Sequence, residues 1–206
     1  MAAPARAVAW SLPHRLARLV VGQVLFAASL ALLVRSEAGA TPWDVLHLGL
    51  HRQLDVSVGT ASFGVGVLLL LLWLPLRVRP GIGTLSNVVL VSVGVDAALA
   101  VLPAASGAAA AAAYVASGVL LNAVATALYV GAGLGPGPRD GLMTGLVART
   151  GGSVRLVRIT IEVLVVATGW ALGGTVGVGT LAYALGIGPL VHVLMPLLAM
   201  PERPAS

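Results

Sequence analysis

Four titratable side chains stand inside long apolar runs of this chain: Asp96, Arg158, Glu162 and His192. A charge at the centre of a bilayer costs about 2.5–3.5 kcal/mol or more, so such groups face a bundle interior or a cavity and often serve a substrate or proton pathway. Arg158 precedes Glu162 by four positions, which puts the pair on one helical face. An acid at position 96 and an imidazole at position 192 suit a proton relay, because histidine titrates near neutral pH. The competing reading is a neutral histidine bonded to a carbonyl and an aspartate wetted at the interface. His47 and His51 have the i,i+4 spacing of metal ligands, but two histidines alone are a weak metal signal, which favours interfacial histidines over a metal site. No cysteine is present, and neither His-Glu-x-x-His nor Gly-x-Ser-x-Gly occurs, so no catalytic residue, metal or cofactor is assigned and the chain does not read as an enzyme.

Two further acids belong to a repeated motif. "GATPWD" carries Pro42, Trp43 and Asp44; "GPGPRD" carries Pro138, Arg139 and Asp140. Thr41 or Gly137 suits an N-cap, proline suits the first helical position, and a carboxylate at the third favours the free N–H groups there. The apolar residues after each motif recur at helical spacing over about a dozen residues, too few to span a bilayer. Each segment is therefore expected to be a short interfacial or re-entrant helix. Its acid either caps the helix or belongs to a gate at one end of a pathway, Asp44 towards the outer face and Asp140 towards the inner.

Composition dictates the elements that position these groups. Of 206 residues, 58% are hydrophobic and 9% charged, far from the balance of a soluble domain. Six runs have the length of a spanning helix: Leu16–Val34, Thr60–Leu76, Ile82–Leu102, Ala108–Gly131, Val154–Leu172 and Val178–Leu198. "AGA" at Ala38–Ala40 looks like a signal cleavage site, but Arg35 and Glu37 precede it and the apolar run is long, so no cleavage is expected. Lysine is absent. With the N-terminus inside, Arg6, Arg15, Arg18, Arg77, Arg79, Arg139, Arg149, Arg155, Arg158 and Arg203 fall on or near the cytoplasmic side, and only Arg35 and Arg52 outside. The arginines are too scattered for a nucleic-acid partner.

Sliding the chain against itself by 96 positions aligns Gly39, Pro42, Asp44, Leu46, Gly49 and Leu50 with Gly135, Pro138, Asp140, Leu142, Gly145 and Leu146. The same offset aligns Gly81, Gly83, Thr84 and Leu85 with Gly177, Gly179, Thr180 and Leu181. Glycines at those helix starts permit close packing; the Walker pattern is absent. Residues 1–103 thus form a first repeat and 104–206 a second, within one membrane domain. Three spans per repeat is an odd number, so the copies enter the membrane from opposite sides, an inverted topology common in secondary transporters.

"GATPWDVLHLGL", "RPGIGT", "GPGPRDGLMTGL" and "GGTVGVGT" resemble the motifs of the YczE-like branch of the YyaS/YitT family of bacterial integral membrane proteins. The resemblance runs from about Arg35 to the end of the sixth span. It implies the bacterial cytoplasmic membrane and supplies no catalytic residues. The expectation is an all-α integral membrane protein of six spans, both termini cytoplasmic, acting as a small secondary transporter or exporter of an unidentified small molecule. The alternative is a non-catalytic scaffold or accessory subunit. Six short spans enclose little volume, which leaves a homodimer open.

Overall fold

The computed structural model describes residues 11–198, all helices and connections. Arg6 and Arg203, both used for orientation, lie outside the described residues. The elements are α1 (Leu12–Arg35), α2 (Pro42–Leu54), α3 (Val58–Leu76), α4 (Ile82–Val101), α5 (Ala108–Gly131), α6 (Pro138–Thr150), α7 (Val154–Ala171) and α8 (Val178–Leu198). Adding 96 to the bounds of α1 and α2 reproduces those of α5 and α6, and the remaining two pairs agree within a residue.

Local chemistry sets the boundaries. The first helix opens four residues before the apolar run, at Leu12, because Pro13 fits its first turn and Ser11 holds extended backbone before it. Thr41 caps α2 by accepting from the Asp44 N–H, and Ser57 caps α3 by accepting from the Thr60 N–H. Left-handed residues stop three helices: Asp55 after α2, Arg77 after α3 and Gly151 after α6. Both short helices begin with proline at the positions expected, and both run 13 residues.

Five helices are long and apolar enough to cross a bilayer: α1, α3, α4, α5 and α8. The fifth expected span, α7, is 18 residues long but includes Arg155, Arg158 and Glu162, so it is not among those five. Large apolar side chains on its surface, including Leu156, Val163 and Leu164, are nonetheless exposed.

The two halves interlock. Helices α1 and α5 pack along each other: Gly22 meets Tyr129, and Gly118 meets Leu33. Those two contacts exchange under the offset of 96, and rising numbers on one helix meet falling numbers on the other, so α1 and α5 run antiparallel. Helix α2 lies against α3 and α7, and α6 lies against α7 and α3, the same relation with the halves swapped. The glycine-threonine motifs cross between halves as well. The Gly83 N–H donates to the Leu134 carbonyl at 2.8 Å, and the equivalent Gly179 N–H donates to the Ala38 carbonyl at 2.8 Å. Each motif therefore ties the start of one half's last helix to the turn leading into the other half's short helix. Side chains are matched at the crossings too: Gly141 of α6 receives Trp73, and Gly169 of α7 receives the backbone of Val45 and Leu46.

One relation is not repeated. Helices α3 and α4 pack closely, with Gly59 against Ser92 and Asp96 and Gly66 against Val88, whereas α7 and α8 barely touch. The sequence accounts for the difference. The positions equivalent to Gly59, Ser62 and Gly66 are Arg155, Arg158 and Glu162, and the position equivalent to Asp96 is His192. Small residues that let α4 approach α3 are thus replaced by long charged ones.

Candidate functional site

A cavity of about 360 Å³ lies where the two short helices begin. Thr41, Pro42 and Trp43 enter its wall from the start of α2, and Gly137, Pro138, Arg139 and Asp140 from the start of α6. Trp43 and Arg139 are equivalent positions of the two repeats, and they meet: the guanidinium carbon lies 5.0 Å from the indole centroid. The two motifs therefore face each other across one chamber. This corrects the expectation that Asp44 and Asp140 sit at opposite ends of a pathway; it is the C-terminal ends of α2 and α6 that point away. Helix starts meet because each is held by the other half's glycine-threonine motif.

Each motif acid is held by neighbours. Asp44 is buried; the Thr41 hydroxyl donates to its Oδ2 at 2.6 Å and His47 Nδ1 lies 3.0 Å from its Oδ1. Burial pushes this carboxyl up, but the hydrogen bond and charge of His47, then the Arg139 charge and the Thr41 hydroxyl, bring it below the ordinary carboxylate value. Burial lowers His47, against the hydrogen bond and charge of Asp44. Asp140 differs. Burial raises it above the ordinary value, against the charges of Arg139 and Arg158 and hydrogen bonds from the Gly137 N–H and the Tyr129 hydroxyl. The indole N–H of Trp73 donates to the Pro138 carbonyl at 3.0 Å, fixing the first turn of α6.

Of the four intramembrane groups, two line the cavity. Arg158 Nε donates to Glu162 Oε1 at 2.9 Å on the expected i,i+4 face, and both open to the chamber. The other two lie elsewhere. Asp96 accepts from Ser57 Oγ at 2.5 Å and from the Gly59 N–H at 2.7 Å, clamping the start of α3 onto α4. His192 is exposed and lines a shallow recess with Gly188, Val191, Met195 and Pro196. The structure does not bring Asp96 and His192 together with Glu162: Asp96 is held at the start of α3, and His192 lines the separate recess on α8. His47 is committed to Asp44, and His51 Nδ1 lies 2.5 Å from the Val56 carbonyl oxygen. No metal-compatible group occurs among the described residues.

Other residues of the wall carried little signal. Asn87 lines the chamber, whereas Asn122 bridges helices: it donates to Ser29 Oγ at 2.8 Å and accepts from the Tyr183 hydroxyl at 3.0 Å. Tyr129 and Tyr183 both reach the cavity. The chain has only three tyrosines, and their scarcity among aliphatics is the one hint the sequence holds. The stacking of Trp43 on Arg139 was legible only as a shared position in the repeat.

The model of the family described as "Family of unknown function (DUF6198)" matches residues 13–196. The chain belongs to that family. Among relatives of this DUF6198 protein is an uncharacterized protein of Haemophilus influenzae, 36% identical over 187 residues covering 88% of this chain and 86% of the relative. The uncharacterized membrane protein YczE of Bacillus subtilis is 34% identical over 177 residues, 85% of this chain and 82% of YczE. YyaS of the same organism is 24% identical over 181 residues, 86% and 90% of the two chains. The resemblance read from the motifs is borne out by both named relatives. No solved structure matches the DUF6198 chain. With its apolar helices, the family member is a membrane protein.

Proposed function

We propose that this protein is a small secondary transporter or exporter, non-enzymatic, that works by alternating access between two inverted repeats. In this reading α7 is a sixth crossing, its charged face turned to the chamber and its apolar face to lipid. Both termini are cytoplasmic in the bacterial inner membrane. The observation that carries the reading is the asymmetry around a symmetric chamber: α3 and α4 are closed while their equivalents α7 and α8 are apart. Two nearly equivalent halves in unequal conformations can exchange them, so that closing α7 on α8 accompanies opening α3 from α4. Helix starts at a central cavity fit the discontinuous helices of such transporters. Arg158 and Glu162 are well placed to bind substrate or a coupling proton.

The cysteine-free chain permits a direct test. Thr60→Cys with Ala97→Cys reports the α3–α4 side; Leu156→Cys with Val193→Cys occupies the equivalent positions on α7 and α8. A short bifunctional thiol reagent applied in membranes should link both pairs over time. Linkage of the first pair alone, under every condition, would sink transport and favour the alternative, a static scaffold or accessory subunit.

A further inference from the structure

Arg139 is the cation of the chamber whose hydrogen bonds are unfilled. Arg158 is engaged by Glu162. The two motif acids are engaged too, Asp44 by Thr41 and His47 and Asp140 by Gly137 and Tyr129. Among the described residues Arg139 makes no hydrogen bond or ion pair; it rests on the Trp43 ring and lines the cavity. A guanidinium offers five N–H donors in a planar fork that suits carboxylate or phosphate oxygens. A half-buried guanidinium held by an indole face, with its edge turned to a chamber, is preorganised for an anion. The starts of α2 and α6 face the same space and add the positive ends of two helix dipoles.

Part of the chamber wall is apolar, formed by Val65, Leu69, Val88 and Ile187, beside polar groups such as Asn87 and Tyr183. Gly188, Val191 and Met195 of α8 line both the chamber and a neighbouring open recess, so the two adjoin on the α8 side, where α7 and α8 barely touch. Elsewhere on α8, Leu185, Val193 and Leu197 are exposed. A chain leaving the chamber past Val191 and Met195 would therefore pass from a cationic group to an apolar helix surface. A volume of about 360 Å³ holds an acidic head and part of a chain, but not a long chain whole.

We propose that the chamber binds an anionic amphiphile, its acidic head on Arg139 and its apolar chain leaving between α7 and α8. This names a substrate class for the transport reading, and any movement of the bound molecule across the membrane rests on that reading. The head is supplied either by a free amphiphilic acid or by an anionic lipid, which share this chemistry. A cationic amphiphile meets an unpaired guanidinium, and a neutral one leaves its donors unfilled.

Binding is tested apart from flux. The full chain in phosphatidylcholine nanodiscs is titrated calorimetrically with decanoate, decanol and decyltrimethylammonium. Decanoate should saturate one site and bind roughly tenfold or more tightly than the other two. Arg139→Gln should weaken decanoate roughly tenfold, and Arg139→Lys should recover part of the loss. Val191→Trp, at a position shared by the chamber and the recess, should weaken decanoate more than hexanoate and so serves if the arginine variants fold poorly. Equal binding of decanol, or undiminished binding by Arg139→Gln, overturns the assignment. In phosphatidylglycerol discs, a fall in decanoate affinity identifies the lipid as occupant, and no change identifies a free acid; both uphold the anionic site. Binding without flux in liposomes leaves the site standing and removes the transport reading, whereas flux of a substrate that decanoate does not displace removes the site.

Discussion

Glycine decides how close the halves come, and Gly141 is the sharpest case. A Cβ there would fall within the Trp73 ring, while Gly64 has open space around the same added atom. Gly141→Ala should destabilise by about 1–3 kcal/mol as overpacking does, and thermal melting in mild detergent should show Gly64→Ala unchanged or slightly stabilised. Thr41 does two jobs, accepting from the Asp44 N–H and donating to its carboxylate. Thr41→Ala should therefore cost about 1 kcal/mol for the lost cap, plus the loss of one donor to a buried charge; Thr41→Ser should restore most of it in the same assay. Among the described residues Glu162 pairs with Arg158 at the chamber's edge, and the proposed transport reading assigns it to the pathway rather than to packing. Glu162→Gln should abolish proton-coupled flux in liposomes and leave the melting temperature near that of the parent. Unchanged flux would remove Glu162 from the pathway.

At the scale of elements, the short helices report topology. Helices α2 and α6 start in the chamber and end at exposed residues, Leu54 and, just beyond α6, Gly151. Leu54→Cys should label from outside intact cells with an impermeant maleimide, and Gly151→Cys only after lysis. Labelling of both from one side would mean parallel repeats and remove the main support for alternating access. The α3–α4 seam is equally testable. Its closure depends on Gly59, whose added Cβ would strike the Ser92 carbonyl, and on Asp96, which bonds the Gly59 N–H. Gly59→Ala should push α3 off α4 and lower the yield of the Thr60→Cys/Ala97→Cys cross-link, whereas Gly64→Ala should leave it intact.

The whole molecule behaves as two interlocked halves, since each half's short helix packs between elements of both. Neither half can move alone without dragging the tie between Gly83 and Leu134 or between Gly179 and Ala38. Exchange of conformations is therefore expected to be concerted. Once a transported substrate is in hand, locking either cysteine pair should stop flux and reduction should restore it; flux that persists with the α3–α4 pair fully linked contradicts concerted exchange.

Much of this was settled by the sequence alone. Hydrophobic run length named five of the six expected spans, those whose helices are long and apolar enough to cross a bilayer; the sixth, α7, carries three charged residues. A fixed offset aligned the repeat, and helix bounds came from proline, threonine and glycine, whose effects are local. The Arg158–Glu162 pair was legible for the same reason: i,i+4 spacing fixes distance within one helix. What lay beyond reach were relations between elements. Asp96 and His192 occupy equivalent positions in sequence yet lie in different sites, whereas Trp43 and Arg139, also 96 positions apart, touch. Only the tertiary structure decided that the motifs share one chamber and that α7 stands off from α8, because both depend on how side-chain volume is distributed across helix crossings.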